Sequence, residues 1–174
     1  MSRPTLFGPV MQLGFVVPDL ERAMEHWSGT VGVGPFFVLS HVQFAEVTYR
    51  GKPTRADMSV GLAQWGEVQV ELIQQFNDEP SIYRDFPYRE RGGLQHVGVM
   101  TDSVADDLAR LRPLGVEAVQ AGSTANGIRF AYVSTDHYPG AMIELIEHGP
   151  IDDFFALVRK AAQGWDGRDP VRRL

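Results

Sequence analysis

"VMQLGFVVPDL", residues 10–20, and "GLQHVGVMTDS", residues 93–103, share one shape. Each is a short apolar run ending in a turn that opens a helix. Each also carries an isolated polar side chain able to bind a metal, Gln12 in the first and His96 in the second. The first run alternates Gln12, Gly14 and Val16 on one face, the period of a strand. Asp19 is placed to cap the helix that follows, and Leu20, Ala23, Met24 and Trp27 recur at helical spacing. In the second copy Asp102 or Ser103 is the cap, and Val104, Leu108 and Leu111 form the buried stripe. Leu20 to Val104, Met24 to Leu108 and Trp27 to Leu111 are each 84 residues apart, and so are Gln12 and His96 (96 − 12). Matching the strands through their "PD" and "TD" turns instead pairs Gln12 with Gln95. The helix register is preferred, because three buried positions must agree for the helices to pack.

Outward from these two runs the chain reads as a βαβββ unit repeated. After the first helix come strand-like runs at Phe36 to Glu46, Ala56 to Gln64 and Val68 to Gln74, punctuated by "RGKPT" and "QWGE". Residues 75–93 are a polar connection, with Ile82, Tyr83 and Phe86 available to pin it down. The second unit continues with Val116 to Gln120, Arg129 to Ser134 and Ala141 to Glu147. The expected fold is α+β, two paired βαβββ modules (10–75 and 94–148) in one domain spanning 1–148, with a curled mixed sheet around a shared cleft. Residues 149–174 form an extra helix and an irregular basic tail, expected to cover a sheet edge or a dimer contact, with a lid as the lesser alternative.

The fourth strand of each unit contains the same word, "ELI", with Glu71 in one and Glu144 in the other. A carboxylate inside an apolar strand is costly to bury unless it is paired or bound to a cation. Curling the two modules around a cleft points their first and fourth strands inward. That gathers one amide, one imidazole and two carboxylates: Gln12, His96, Glu71 and Glu144. The set suits one divalent ion such as Zn, Mn, Co or Ni, with positions left open for a ligand.

With no cysteine among 174 residues, thiolate metal sites, disulfides and cysteine nucleophiles are excluded. A formal net charge of −6 argues against nucleic acid and membrane surfaces as partners. No apolar run approaches a membrane span, and "MSRPTLFGPV" lacks a signal core, so a cytoplasmic protein is expected. The glycines of "GVGPFF" make a turn and not a phosphate cradle. His26, His41, His137 and His148 read as surface residues, and Met11, Met24, Met58 and Met142 as core filler. Asn126-Gly127 forms a turn, and Arg129 then enters a strand where it and Asn126 are candidates to hold a substrate carboxylate or phosphate. Asp57 is a further candidate acid or base.

The words "QLGFVVPDLERAMEHW", "GVGPFF", "VQVELIQ", "GLQHVGVMTD" and "PGAMIELIEH" resemble the vicinal oxygen chelate superfamily over about residues 10 to 148. This is the group of glyoxalase I, methylmalonyl-CoA epimerase, extradiol dioxygenases and the bleomycin-resistance proteins. The resemblance places the four metal positions on Gln12, Glu71, His96 and Glu144, an order similar to one glyoxalase I ligand set. It implies a metal-dependent isomerase, epimerase or lyase that removes a proton next to a carbonyl through a chelated enediolate, with Glu144 as base and Glu71 opposite. The alternative is a metal-free binding protein of the drug-sequestering kind, with a cleft lined by Phe36, Phe37, Trp65 and Tyr132. An extradiol oxygenase fits less well, since Gln12 stands where a second histidine is needed. A small-molecule substrate and a possible homodimer complete the expectation.

Overall fold

The computed structural model describes residues 6–134 and 140–174, so His137 lies outside the described residues. The first half contains β1 (Val10–Val16), α1 (Leu20–His26), β2 (Phe36–Leu39), β3 (Phe44–Tyr49), β4 (Lys52–Pro53), β5 (Met58–Trp65) and β6 (Val68–Gln75). The second contains β7 (Gly93–Thr101), α2 (Val104–Leu111), β8 (Ala118–Thr124), β9 (Arg129–Val133) and β10 (Met142–Glu147). Helix α3 (Pro150–Ala162) and β11 (Val171–Arg173) follow. All the strands join one mixed sheet, in the order β11-β2-β5-β6-β1-β7-β10-β9-β8-β3-β4. The fold is α+β.

Antiparallel pairing of β1 with β7 puts the two polar-bearing strands at the centre. On either side lies the fourth strand of each half, parallel to the first: β6 beside β1, and β10 beside β7. The repeat extends to the caps. The Asp19 side chain accepts from Arg22 N at 3.0 Å, and that of Ser103 accepts from Asp106 N at 3.2 Å. Gln74 Oε1 accepts from Leu20 N and Glu147 Oε2 from Val104 N, both at 2.9 Å. The fourth strand of each half thus holds the start of its helix, at offsets of 84 (104 − 20) and 73 (147 − 74). Each helix packs on its own half. Leu20 and Met24 meet Phe36, Val38, Val70 and Leu72, while Val104 and Leu111 meet Val99, Ala131, Val133 and Leu145. The largest core spans both halves and includes Ile151, Phe155 and Val158 of α3.

Two expectations are corrected. Phe36 to Glu46 is not one strand. The chain leaves the edge of the first half after Leu39, turns at His41 (φ 48°), and re-enters as β3 at the far edge of the second half. There β3 pairs with β8, with Glu46 opposite Ser123. The run reads as continuous because alternation along a chain does not record a change of partner. The tail after Gly164 is not irregular throughout either. β11 pairs in parallel with β2, Arg172 lies over the Phe37 ring, and Arg173 pairs with Glu21 at 2.7 Å. The sheet edge is therefore covered by the tail, whereas α3 lies across the cleft. Among the described residues no helix is long and apolar enough to cross a membrane.

Candidate metal centre

The centre sits where β6, β1, β7 and β10 run side by side. Gly14 is the register partner of both Glu71 and His96, and Gly98 is the partner of both Glu144 and Gln12. A glycine is required at each place by close approach. A Cβ on Gly14 would fall inside the His96 ring, and one on Gly98 would lie 2.9 Å from Gln12 Oε1. The sequence carries this signal as a polar residue followed two positions later by glycine, Gln12-x-Gly14 and His96-x-Gly98.

The structure brings Gln12, Glu71, His96 and Glu144 to one floor. His96 Nε2 stands 3.2 Å from Glu144 Oε2 and 3.3 Å from Glu71 Oε2. Those spacings match the roughly 3.0–3.4 Å between ligands held about 2.1 Å from one ion at octahedral or tetrahedral angles. Gln12 and His96 are fully buried, and Glu144 nearly so. His96, rather than Gln95, is the residue that faces the carboxylates.

Two further glutamines orient Gln12 and His96. His96 Nδ1 donates to Gln95 Oε1 at 2.8 Å, which leaves Nε2 facing the carboxylates. Gln12 Nε2 donates to Gln69 Oε1 at 2.6 Å, which frees the amide oxygen. Gln95 is anchored in turn by donating to Met142 Sδ at 3.1 Å, so Met142 is more than core filler. Gln12 Oε1, Glu71 Oε2 and His96 Nε2 are all buried and lack a hydrogen-bond partner. Buried polar atoms of folded proteins rarely go unpaired. Three of them converging beside a second carboxylate fit a bound cation.

Electrostatics here are set first by burial and then by the two neighbouring carboxylates. Burial alone would lower the His96 pKa, but Glu144 and then Glu71 outweigh it and hold the ring at about 9. Burial pushes the Glu71 carboxyl up, His96 pulls it back, and the charge of Glu144 raises it further. Tyr83 and Tyr132 are raised well above the ordinary phenol value, first by burial and next by Glu144, so both stay protonated as donors. The Tyr83 hydroxyl donates to that of Tyr132 at 2.9 Å, and Tyr132 faces Glu144, its cross-strand partner. Tyr83 comes from the 75–93 connection, where only an anchoring role was foreseen.

Above this floor is a cavity of about 90 Å³. Its walls are mostly apolar, from Leu39, Val42, Val60, Leu62, Phe130 and Ile146, and its roof is Ile151, Phe154 and Phe155 of α3. Of the aromatic residues expected to line a cleft, only Tyr132 does. Phe36 packs beneath α1, Phe37 meets Phe154 edge-on, and Trp65 is half exposed. Arg129 and Asn126 are not brought to the cavity. Arg129 is exposed and paired with Glu147 at 3.1 Å, because Glu147 already tethers α2 on the outer side. Asn126 is exposed in its turn, where its side chain bonds Thr124. Asp57 also lies outside, joined to exposed His41 at 2.6 Å. His148 is exposed and pairs with Asp152 at 3.0 Å, and His26 ends α1 on the surface.

Comparison with known proteins agrees with this architecture. Residues 11–132 match the profile of the Glyoxalase/Bleomycin resistance protein/Dioxygenase superfamily. The chain belongs to that superfamily. No curated protein matches it in sequence. Among solved structures it is similar to methylmalonyl-CoA epimerase from Mycobacterium tuberculosis, with 20% identity, a TM-score of 0.59, and 90% of this chain and 97% of that one covered. A hypothetical protein from Bacillus halodurans is similar at 15% identity and a TM-score of 0.59, covering 81% and 94%. A methylmalonyl-CoA epimerase in complex with methylmalonyl-CoA and NH4+ is similar at 17% identity and a TM-score of 0.54, covering 83% and 97%. At such identities the likeness concerns the fold of this superfamily member.

Proposed function

We propose that this superfamily member is a metal-dependent isomerase or epimerase, or a glyoxalase-type lyase, that removes and returns a proton next to a carbonyl. The observation that carries the reading is the convergence of Gln12 Oε1, Glu71 Oε2 and His96 Nε2, all buried and without a hydrogen-bond partner, beside Glu144. One divalent ion held by these four residues would draw electron density from the substrate oxygens and so make the neighbouring C–H acidic. Glu144 is the base, with Tyr132 beside its carboxylate. Glu71 stands on the other side of the central strand pair and in this reading acts at the opposite face of the same carbon. The apolar walls keep water from competing for the proton. Structural neighbours that are methylmalonyl-CoA epimerases support an epimerase-type reaction on this fold.

A second reading, a metal-free binder of small molecules, is favoured by the mostly apolar walls alone. The two are separated by elemental analysis of purified protein before and after chelation, followed by solvent-deuterium exchange of an α-proton in acyl thioesters and hydroxy ketones. The enzyme reading expects one ion per chain and exchange that collapses in Glu144→Gln by far more than metal affinity does. Exchange and affinity falling together would make Glu144 a ligand only. A metal-free protein without exchange would establish the binder.

A further inference from the structure

Resting on that reading of the site, in which the substrate oxygens approach one ion, we infer a charge preference in its substrate class: an uncharged, largely apolar carbonyl compound over acyl groups bearing a free carboxylate. Among the described residues that line the cavity there is no lysine or arginine, and the charged residues are Glu71 and Glu144. The arginines along the sheet are engaged outside it. Arg129 is held by Glu147, Arg172 lies over the Phe37 ring, and Arg173 pairs with Glu21.

The charge balance follows from the donor set. A divalent ion between two carboxylates, an amide and an imidazole is neutral overall. An uncharged ligand keeps it neutral, and moving a proton from that ligand to Glu144 changes nothing in the total. A ligand carboxylate adds one negative charge between mostly apolar walls that offer no lysine or arginine to balance it, an arrangement folded proteins disfavour. Without the ion, two carboxylates face a single imidazole, so the discrimination keeps its sign.

Size points the same way. About 90 Å³ is well below the roughly 300–1,000 Å³ that ligand sites usually offer. With α3 seated, the cavity accepts only the reacting end of a molecule. The roof residues Ile151, Phe154 and Phe155 then meet its alkyl arm, and Phe154, only partly buried, is the one freest to yield.

A matched pair of probes isolates charge from shape. The N-acetylcysteamine thioesters of 2-methylacetoacetate and of methylmalonate differ chiefly in a methyl ketone standing for a carboxylate. Binding is measured by calorimetric titration, on protein loaded with Zn²⁺ and on protein stripped by chelation. The keto thioester is expected to bind at least tenfold more tightly in both states, and Phe154→Arg, which supplies the missing cation, to shrink or reverse the ratio. Equal binding, tighter binding of methylmalonate, or no binding of either overturns the inference. Should Phe154→Arg fail to fold by circular dichroism, the wild-type ratio decides alone. Deuterium exchange in the keto probe is scored separately. A tenfold preference without exchange removes the proposed reaction and leaves the substrate class standing, and exchange without the preference does the reverse.

Discussion

Gln95 holds the His96 ring from the adjacent position on β7, its Oε1 accepting from Nδ1 at 2.8 Å while its amide donates to Met142 Sδ. The glutamine fixes the ring angle and the hydrogen on Nδ1, so that Nε2 faces Glu71 and Glu144. Gln95→Leu keeps the bulk and removes the acceptor. Metal affinity should fall by about 10- to 100-fold, the usual effect of losing such a support. Competition with a chromophoric chelator measures it, and circular dichroism should show the fold retained.

Metal and proton compete for Nε2 of His96, because Nδ1 already carries its hydrogen toward Gln95. With the folded pKa raised to about 9, loading the ion at neutral pH expels a proton. Affinity should therefore rise about tenfold per pH unit up to about 9 and level off above it. Titration in weak buffer should acidify the solution by one equivalent.

Metal-free protein should show the linked effect on stability. A histidine raised from 6.5 when unfolded to about 9 when folded contributes stability that is complete below pH 6.5. That contribution is lost as pH rises through 9. The urea midpoint of stripped protein should thus decline across this window, and His96→Gln should flatten the decline.

The paired glycines predict a graded series. Gly14→Ala drives a methyl into the His96 ring and should abolish stoichiometric metal binding, at a stability cost of about 1–3 kcal/mol. Gly98→Ala crowds Gln12 and should weaken binding without abolishing it. Gly61→Ala is the control. Its added carbon would meet Met24 Sδ at 2.9 Å beneath α1, so stability should drop while metal binding persists. Thermal denaturation together with metal titration reads all three.

Removing residues 170–174 takes away β11 and the Arg173–Glu21 pair, and leaves the β2 edge unpaired. Unpaired edges recruit other strands. The truncated chain should melt lower by several degrees, about 2–4 °C for each kcal/mol lost, and should self-associate on size-exclusion chromatography.

The repeat was legible in the sequence because buried helix positions constrain one another, and the 84-residue spacing reappears in caps and central strands alike. Gln12 and His96 could be found for the same reason, each an isolated polar residue in an apolar run. Arg129 and Asn126 were misplaced because a strand's alternation does not say which neighbour claims an outward side chain, and Glu147 claims this one. Tyr83 was missed because connections have no period from which a direction can be read. The roof formed by Phe154 and Phe155 depends on where a terminal helix docks, a choice made by tertiary packing.

Residues 36–49 begin in β2, next to one edge of the sheet, and end in β3, next to the other, so β3 is completed by a strand 77 positions away, Glu46 by Ser123. Such a pairing has to await closure of a long loop, which slows folding. As the chain is synthesised, β3 exists without its partner until β8 has emerged, and an unmatched strand is open to contact with other nascent chains. A cut at the 75–93 connection would produce one fragment with a strand to spare and another with an edge uncovered. The two halves repeat one pattern, yet a strand lent by the first completes the second, so their assembly is tied together.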